Sequence, residues 1–263
     1  MDRCGEVNIE NYLSRIGLAR HDLRCDVDTL RLLQRRHLMH VPFENLDIHW
    51  NMPIVLESEK FYDKIVENRR GGFCYELNGL FNELLKGLGY RTHLVSGRVY
   101  GGEKGYSPEF DHMGIVVTIG DEEFLADVGF GDFTVEPLKI DPSGEQPDRE
   151  GLFFVRFTGR GAFEIEKLKD GKWTPELLFG RSGRNLSEFA ERNEFQQHSP
   201  DSHFRKGKIC SVLTADGRKT LTDGKFIVTA NGTKHEIEFD SEECFDQLLL
   251  QEFNIVRPLI ARL

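Results

Sequence analysis

The stretch Arg70-Gly71-Gly72-Phe73-Cys74-Tyr75-Glu76-Leu77-Asn78-Gly79-Leu80-Phe81 places a cysteine between a glycine pair and an amphipathic run. Apolar residues recur at helical spacing after the cysteine, and Gly87 ends the run. The pattern therefore predicts a helix that begins near Cys74. Unpaired backbone N–H groups and the helix dipole both stabilise a thiolate at such a position. The thiolate is the form of cysteine that attacks an acyl group.

Cysteine is also a common buried apolar side chain, so a reactive Cys74 requires a base nearby. A candidate lies downstream, where residues 111–119 are rich in β-branched side chains and predict a strand. Gly120-Asp121 is a two-residue turn signal, and residues 122–128 predict the returning strand of a hairpin. The turn predicts the facing pairs Ile119–Glu122, Thr118–Glu123, Gly114–Asp127 and His112–Gly129.

This register makes His112 and Asp127 diagonal neighbours on one face of the hairpin. Diagonal positions lie ~7–8 Å apart at Cα, which is within reach of a hydrogen bond between imidazole and carboxylate. Asp127 can then hold the ring tautomer while His112 accepts the thiol proton of Cys74. Each side chain also fits a structural role, His112 as the end of a strand and Asp127 as a turn residue. Their placement together with Cys74 favours catalysis.

Further segments carry recognisable motifs in the same order along the chain. The segments are Pro42-Phe43-Glu44-Asn45-Leu46, the Arg70–Asn78 stretch, His112-Met113, Ala126-Asp127-Val128-Gly129-Phe130-Gly131 and His198-Ser199-Pro200-Asp201-Ser202-His203-Phe204. Together they resemble the arylamine N-acetyltransferase family, and the Arg-Gly-Gly-x-Cys segment is the most specific of them. The resemblance implies an α+β fold in three parts. These are an N-terminal helical bundle over residues 1–86, a central β-barrel over 87–186 and an α/β lid over 187–263.

The resemblance also implies a chemistry. Cys74 would attack the thioester of acetyl-CoA, His112 would accept the thiol proton, and Asp127 would orient the imidazole. An arylamine or arylhydrazine would then take the acetyl group from Cys74 in a ping-pong reaction. Backbone N–H groups of Cys74 and Asp111 are the expected donors to the oxyanion.

Substrate contacts follow from the same resemblance. Phe43, Val99 and Phe130 are expected to line the acceptor pocket, and aromatic or apolar walls suit an aryl ring. Gly131, Phe195 and Ser202 are expected to contact CoA. Asp201 departs from this pattern, because a carboxylate beside a polyphosphate is unfavourable. The basic residues Arg205, Lys206 and Lys208 could counter the phosphates, although a short basic run also fits a solvated surface.

Two other functions remain open from the residues alone. A cysteine hydrolase or transglutaminase-like enzyme would use the same Cys74–His112–Asp127 order, although the papain-type Cys-Gly-Ser-Cys segment does not occur. A binding module without catalytic activity would simply bury Cys74.

Composition restricts the class of protein and its partners. The five cysteines are scattered at positions 4, 25, 74, 210 and 244, which predicts reduced thiols and a cytoplasmic location. The sequence contains no Cys-x-x-Cys pair of the kind that binds structural zinc. His37 and His40 mark a helix end before Pro42, so no metal is expected. The net charge of −10 disfavours binding to nucleic acid or anionic membranes. The expected partners are small molecules, and the oligomeric state stays open.

No signal-peptide core follows Met1, and no apolar run reaches the ~18 residues of a membrane span. Periodicity predicts the remaining elements. Helices are expected around residues 9–16, 30–38, 61–65, 187–196 and 244–250, strands at 91–95, 98–100, 152–157, 163–166, 208–213 and 225–229, turns at 159–161, 216–217 and 231–232, and a surface loop at 141–148.

Overall fold

A computed structural model describes residues 7–141, 143–159 and 161–258. The helices are α1 (Ile9–Arg15), α2 (Val27–His40), α3 (Leu46–His49), α4 (Ser58–Tyr62), α5 (Cys74–Gly87), α6 (Ala190–His198) and α7 (Glu242–Phe253). A π-helical turn over Asp63–Glu67 continues α4, and short 3-10 turns occupy Arg20–Asp22, Gly102–Lys104, Leu186–Phe189 and His203–Arg205. The strands are β1 (Phe43–Glu44), β2 (Arg91–Val99), β3 (His112–Ile119), β4 (Glu122–Ala126), β5 (Leu138–Lys139), β6 (Glu145–Asp148), β7 (Gly151–Gly159), β8 (Ala162–Lys169), β9 (Lys172–Gly180), β10 (Ile209–Leu213), β11 (Gly217–Thr222), β12 (Lys225–Ala230) and β13 (Thr233–Glu238).

Helix α5 lies at the centre of the helical part and packs against α4, β2 and β3. Its predicted start at Cys74 is confirmed. The residue before it, Phe73, has no polar side chain to cap the helix. The carboxylate of Glu76 takes over part of that role by accepting the Phe73 N–H at 3.1 Å. Most α5 side chains are buried, because sheet and helices surround the helix on several sides.

The larger sheet has the strand order β5-β4-β3-β2-β9-β8-β7-β6. Side chains from strands far apart in this order, such as Leu138 of β5 and Phe153 of β7, belong to one buried apolar cluster. The sheet therefore curls around a shared core and is nearly closed, like a barrel. Helices lie at both ends of the chain, so the predicted α+β class is confirmed.

The smaller sheet has the order β1-β10-β11-β12-β13, and α7 packs against it. Its first strand comes from the N-terminal half, since Phe43 faces Ser211 and Glu44 faces Cys210. A short N-terminal segment thus completes the C-terminal sheet. Sequence reasoning missed this pairing, because two residues carry no strand periodicity.

Several predicted elements differ from the structure. Residues 145–148 of the expected loop form β6, an edge strand, where Pro147 is tolerated because one side of the strand is unpaired. The strands expected at 91–95 and 98–100 form the single strand β2. Strand β9 was not predicted, because Pro175 and a register shift beside it break the alternation of apolar and polar side chains. Pro142 of the expected loop and Arg160 of the expected turn lie outside the described residues.

Strands β11 and β13 were also not predicted, because their sequences are largely polar. The turn between β12 and β13 falls at Asn231-Gly232 as predicted. In the part of the chain that the structure describes, Cys25, Cys74, Cys210 and Cys244 are free thiols, while Cys4 lies outside it. None of the described helices is both long and apolar enough to span a bilayer.

Candidate active site

Cys74 is the first residue of α5 and is only 3% exposed. The glycine pair before it permits a close approach between backbone segments. A Cβ on Gly71 would lie 2.0 Å from the carbonyl oxygen of Pro42, and one on Gly72 would lie 2.9 Å from the Glu76 side chain. Only glycine fits at such contacts, so this pair sets the path by which the chain enters the cysteine helix.

The hairpin that carries His112 has the predicted register. Ile119 faces Glu122, and Thr118 faces Glu123. Regular pairing ends at Ala126, one residue before Asp127. His112 Nε2 nevertheless lies 2.5 Å from Asp127 Oδ2, and both side chains are buried. The predicted contact between these two side chains is therefore present, and Nδ1 is the ring nitrogen left for a second partner.

Asn78 connects the helix to the hairpin. It lies one turn after Cys74, and its Nδ2 donates to the Met113 carbonyl at 2.5 Å and to Asp127 Oδ1 at 2.9 Å. Its Oδ1 accepts the Val128 N–H at 2.8 Å. Asn78 ends the Arg70–Asn78 motif, and the sequence alone did not predict these bonds. The signal available was its i, i+4 spacing from Cys74, which puts both residues on one helix face.

Gly129 brings the end of the hairpin against the start of α5. A Cβ at this position would lie 2.7 Å from Cys74 Cα and 2.9 Å from Asn78 Nδ2. The Gly129 N–H also donates to Asp127 Oδ1 at 2.9 Å. The absence of a side chain at Gly129 therefore lets the carboxylate loop pack directly on the cysteine.

The surroundings of the thiol act on its charge in opposite directions. Burial raises the pKa of the Cys74 thiol, and the carboxylates of Asp111 and Asp127 raise it further. Hydrogen bonds from the backbone N–H groups of Tyr75 and Met113 lower it. Burial and the two carboxylates therefore oppose ionisation of the thiol, whereas the backbone N–H groups favour it.

The residues expected to line the acceptor pocket pack against two different apolar clusters. The Phe130 ring lies with its centroid 5.0 Å from that of His112 and stacks on Phe133 at 4.5 Å. Val99 and Phe130 both pack against the barrel core. Phe43 packs instead against the helical core, with its ring 6.1 Å from that of Phe204. Among these three residues, the ring contact with His112 is made by Phe130.

The residues expected to contact CoA have different surroundings. Gly131 has open space where a Cβ would stand, at a φ of +97°. Phe195 is half-buried, with the Arg192 guanidinium 3.9 Å from its ring centroid. Ser202 is fully buried, and its hydroxyl donates towards Gln196, so the fold itself uses this group. Asp201, the residue that differs from the family pattern, is exposed.

The basic run after Ser202 divides into exposed and paired cations. Arg205 and Lys206 are exposed, and Arg205 donates to the Gln197 carbonyl. Lys208 is ion-paired with Asp223 and Glu242. Arg205 and Lys206 are therefore the exposed cations of the run.

The two histidines at the end of α2 are engaged within the fold. His37 Nδ1 lies 2.9 Å from the Tyr12 hydroxyl, and His40 Nδ1 lies 2.8 Å from the Arg36 carbonyl. Across residues 7–141, 143–159 and 161–258, no cluster of three His, Cys, Asp or Glu side chains could hold a metal ion.

Comparisons with known proteins identify the family of this chain. A family model described as N-acetyltransferase matches residues 26–259. A pineal gland isozyme of arylamine N-acetyltransferase from Gallus gallus is 32% identical over 95% of this chain and 94% of its own length. The structure resembles that of arylamine N-acetyltransferase from Salmonella typhimurium, with a TM-score of 0.89, 28% identity and coverage of 95% of this chain and 92% of the other.

A second solved structure is arylamine N-acetyltransferase from Mycobacterium marinum in complex with CoA. It has a TM-score of 0.85 and 27% identity, and the match covers 94% of this chain and 93% of the other. The family model and the relatives thus match nearly the whole length of this chain. This chain belongs to the arylamine N-acetyltransferase family.

Proposed function

We propose that this protein transfers the acetyl group of acetyl-CoA to an arylamine or arylhydrazine through an acetyl-Cys74 intermediate. The observation that carries the proposal is the buried His112–Asp127 pair, which Asn78 ties to the helix that begins at Cys74. The proposed catalytic side chains are Cys74, His112 and Asp127. A nucleophile, a base and a group that orients the base are the parts such a reaction needs.

The first half-reaction loads the enzyme. His112 accepts the Cys74 proton, and the sulfur forms a bond to the carbonyl carbon of the thioester. The tetrahedral intermediate collapses as the bond between that carbon and the CoA sulfur breaks. The imidazolium returns its proton to the departing CoA thiolate. Asp127 stabilises the positive charge on the ring while the proton is held there.

The second half-reaction transfers the acetyl group from Cys74 to the acceptor. The acceptor nitrogen forms a bond to the acetyl carbon and gives its proton to His112. The bond between that carbon and the Cys74 sulfur breaks, and the thiolate recovers the proton. Backbone N–H groups of Cys74 and Asp111 are the proposed donors to the oxyanion in both halves.

The binding sites and the division of the chain complete the proposal. Phe130 would form the acceptor wall beside His112, with Phe43 and Val99 as further apolar walls. The CoA side would use Gly131 and Phe195, with the exposed Arg205 and Lys206 near its phosphates. The helical part (1–86) would carry the nucleophile, the barrel part (87–186) the base and carboxylate, and the remaining part (187–263) the lid. We place the enzyme in the cytoplasm.

Mass spectrometry tests the proposal directly. Wild-type protein incubated with acetyl-CoA and no acceptor should gain one acetyl group on Cys74. Cys74→Ser should fold normally and gain none, because a serine hydroxyl ionises far less readily near neutral pH. Cys25→Ser changes an exposed thiol and serves as the matched control, which should load like wild type.

Two outcomes would contradict the proposal. Acetylation of another cysteine in the Cys74→Ser variant would remove Cys74 from the reaction. Release of free CoA at the same rate with and without an amine would assign the site to hydrolysis instead of transfer.

A further inference from the structure

A polar cluster lies where α6 meets the start of β3. Asp111, the residue before His112, accepts two hydrogen bonds on Oδ1, from Arg192 Nε at 2.7 Å and from Gln196 Nε2 at 2.7 Å. Arg192 Nη2 lies 2.6 Å from the same oxygen, so the two side chains form an ion pair. The side chains of Asp111 and Arg192 are only 15% and 19% exposed. A mostly buried charge pair with this many bonds is unlike the weak ion pairs of a protein surface.

The donors are themselves held in place. The Arg192 guanidinium lies 3.9 Å from the Phe195 ring centroid, and Gln196 Oε1 accepts from the buried Ser202 hydroxyl at 2.8 Å. Orientation of the Gln196 amide is thereby set, since its oxygen faces Ser202 and its nitrogen faces Asp111. Ser202 is buried because its hydroxyl holds the Gln196 side chain in this orientation.

The backbone next to Asp111 is also constrained. Phe110 has a φ of +64°, a left-handed conformation that is costly for an aromatic residue. Its carbonyl accepts the Tyr75 hydroxyl at 2.6 Å, and its N–H donates to Ser96 Oγ at 2.7 Å. Its ring lies edge-on to Phe189 at 5.1 Å. These contacts hold the chain in a strained shape immediately before His112.

Asp111 also acts on the thiol through its charge. The charges that act on Cys74 are those of Asp127, which is bonded to His112, and of Asp111, which is paired with Arg192. The Tyr75 hydroxyl is a further titratable group that interacts with Cys74. Like Asp127, the Asp111 carboxylate disfavours the thiolate of Cys74. An arginine bonded to Asp111 offsets that effect, because its positive charge lies beside the negative one.

We infer that Arg192, together with Gln196, is a positioning residue for the thiol and imidazole: it holds Asp111 at the start of the His112 strand and offsets its charge. The inference rests on the proposed function, since only a nucleophilic Cys74 needs such support. It gives α6 a direct part in setting the reactivity of the cysteine.

The test measures the rate of Cys74 alkylation by iodoacetamide from about pH 5 to about pH 10, with thermal unfolding of each variant as a check on folding. Arg192→Met removes the charge and the bonds. We expect the rate at pH 7 to fall about 10-fold and the midpoint of the profile to rise by about one pH unit. Arg192→Lys keeps the charge without the fork of donors, so it should recover part of the loss.

A double variant separates the effect of the Asp111 charge from the loss of structural support by Arg192. Arg192→Met combined with Asp111→Asn removes both partners, and its midpoint should return towards the wild-type value. Glu194→Gln, an exposed change on the same helix, is the matched control and should leave the profile unchanged.

Three results would overturn the inference. These are an unchanged midpoint in Arg192→Met, a midpoint that stays high in the double variant, and an effect of Arg192→Met on the KM for acetyl-CoA alone. Failure of the proposed function looks different. In that case wild-type Cys74 gains no acetyl group from acetyl-CoA, while the alkylation profiles still decide the role of Arg192.

Discussion

At the scale of single residues, Asn78 is the side chain that most directly joins the parts of the site. It bonds to the Asp127 carboxylate and to two backbone groups of the hairpin, and it shares a helix with Cys74. Because all these groups are buried, water cannot replace a lost partner. The Asn78 amide is thus one of the groups that set the position of α5 relative to the hairpin.

Asn78→Ala should lower the free energy of unfolding by ~1–3 kcal/mol, because buried hydrogen-bond partners lose their amide. The alkylation rate of Cys74 should fall as well. Asn82→Ala is the matched control, since Asn82 is equally buried on the same helix and bonds Thr92 instead. Chemical denaturation and iodoacetamide kinetics check both effects. An equal loss of alkylation rate in the two variants would show that Asn78 supports only the helix.

Phe130 should affect acceptor choice, because its ring lies beside His112 at the edge of the barrel core. Phe130→Ala should weaken arylamine binding by ~1–3 kcal/mol, the range for one buried apolar side chain. Small hydrazines should lose less. Acetylation of Cys74 by acetyl-CoA, measured in a single turnover, should hardly change.

The control for Phe130 is Phe157→Ala, which removes an exposed ring on the barrel. This variant should retain arylamine turnover. If Phe130→Ala slows acetylation of Cys74 as much as arylamine turnover, the ring positions His112 and does not select the acceptor.

At the scale of elements, a buried ion cluster holds the segment that leads into α5. Arg70 Nη2 lies 2.6 Å from Glu44 Oε1 and 2.8 Å from Asp47 Oδ1. Lys64 Nζ lies 2.8 Å from Asp47 Oδ2 and 2.9 Å from Glu76 Oε1. Since Glu76 also accepts the N–H before Cys74, the cluster connects α3, the π-helical turn and the cysteine helix.

Lys64→Met should therefore destabilise the protein strongly. The change takes one cation away from two buried carboxylates, Asp47 and Glu76, and breaking a buried ion pair in this way typically costs ~3–5 kcal/mol. Urea denaturation at neutral pH measures the loss. Lys86→Met is the control, because Lys86 forms an exposed pair with Glu83, and it should cost at most ~1 kcal/mol. Similar losses in both variants would show that the cluster contributes no more than a surface pair.

At the scale of the whole molecule, His37 links stability to pH. Burial lowers the pKa of His37 to about 3, with Arg15 and His40 acting in the same direction. The unfolded chain binds a proton near the ordinary value of 6.5, whereas the folded one does not. The stability this residue contributes is thus complete above pH 6.5 and is lost as the pH falls towards 3.

His37→Gln should make the fall in stability below pH 6.5 shallower, because glutamine carries no proton and can still accept from the Tyr12 hydroxyl. Each pH unit in that window costs the wild type up to about 1.4 kcal/mol through this one group. Free energies of unfolding at several pH values above and below 6.5 measure the difference. Parallel curves for the two proteins would show that His37 does not titrate in this way.

The sequence determined the local parts of this protein. A glycine pair followed by helical periodicity placed Cys74 at a helix start, and the Gly120-Asp121 turn set the register that brings His112 near Asp127. Periodicity and turn chemistry depend on a few neighbouring residues, which is why they can be predicted. Polar or interrupted strands such as β9 and β13 lack that signal.

Only the tertiary structure decided which distant segments meet. Three contacts join residues far apart in the chain. They are the hydrogen bonds of Asn78 to the hairpin, the pairing of β1 with β10, and the ion pair of Asp111 with Arg192 of α6. Burial of Ser202 follows from the same packing. Such contacts depend on how the elements pack. The residues next to each group in the sequence do not determine which groups are buried together at low dielectric, so these contacts could not be predicted.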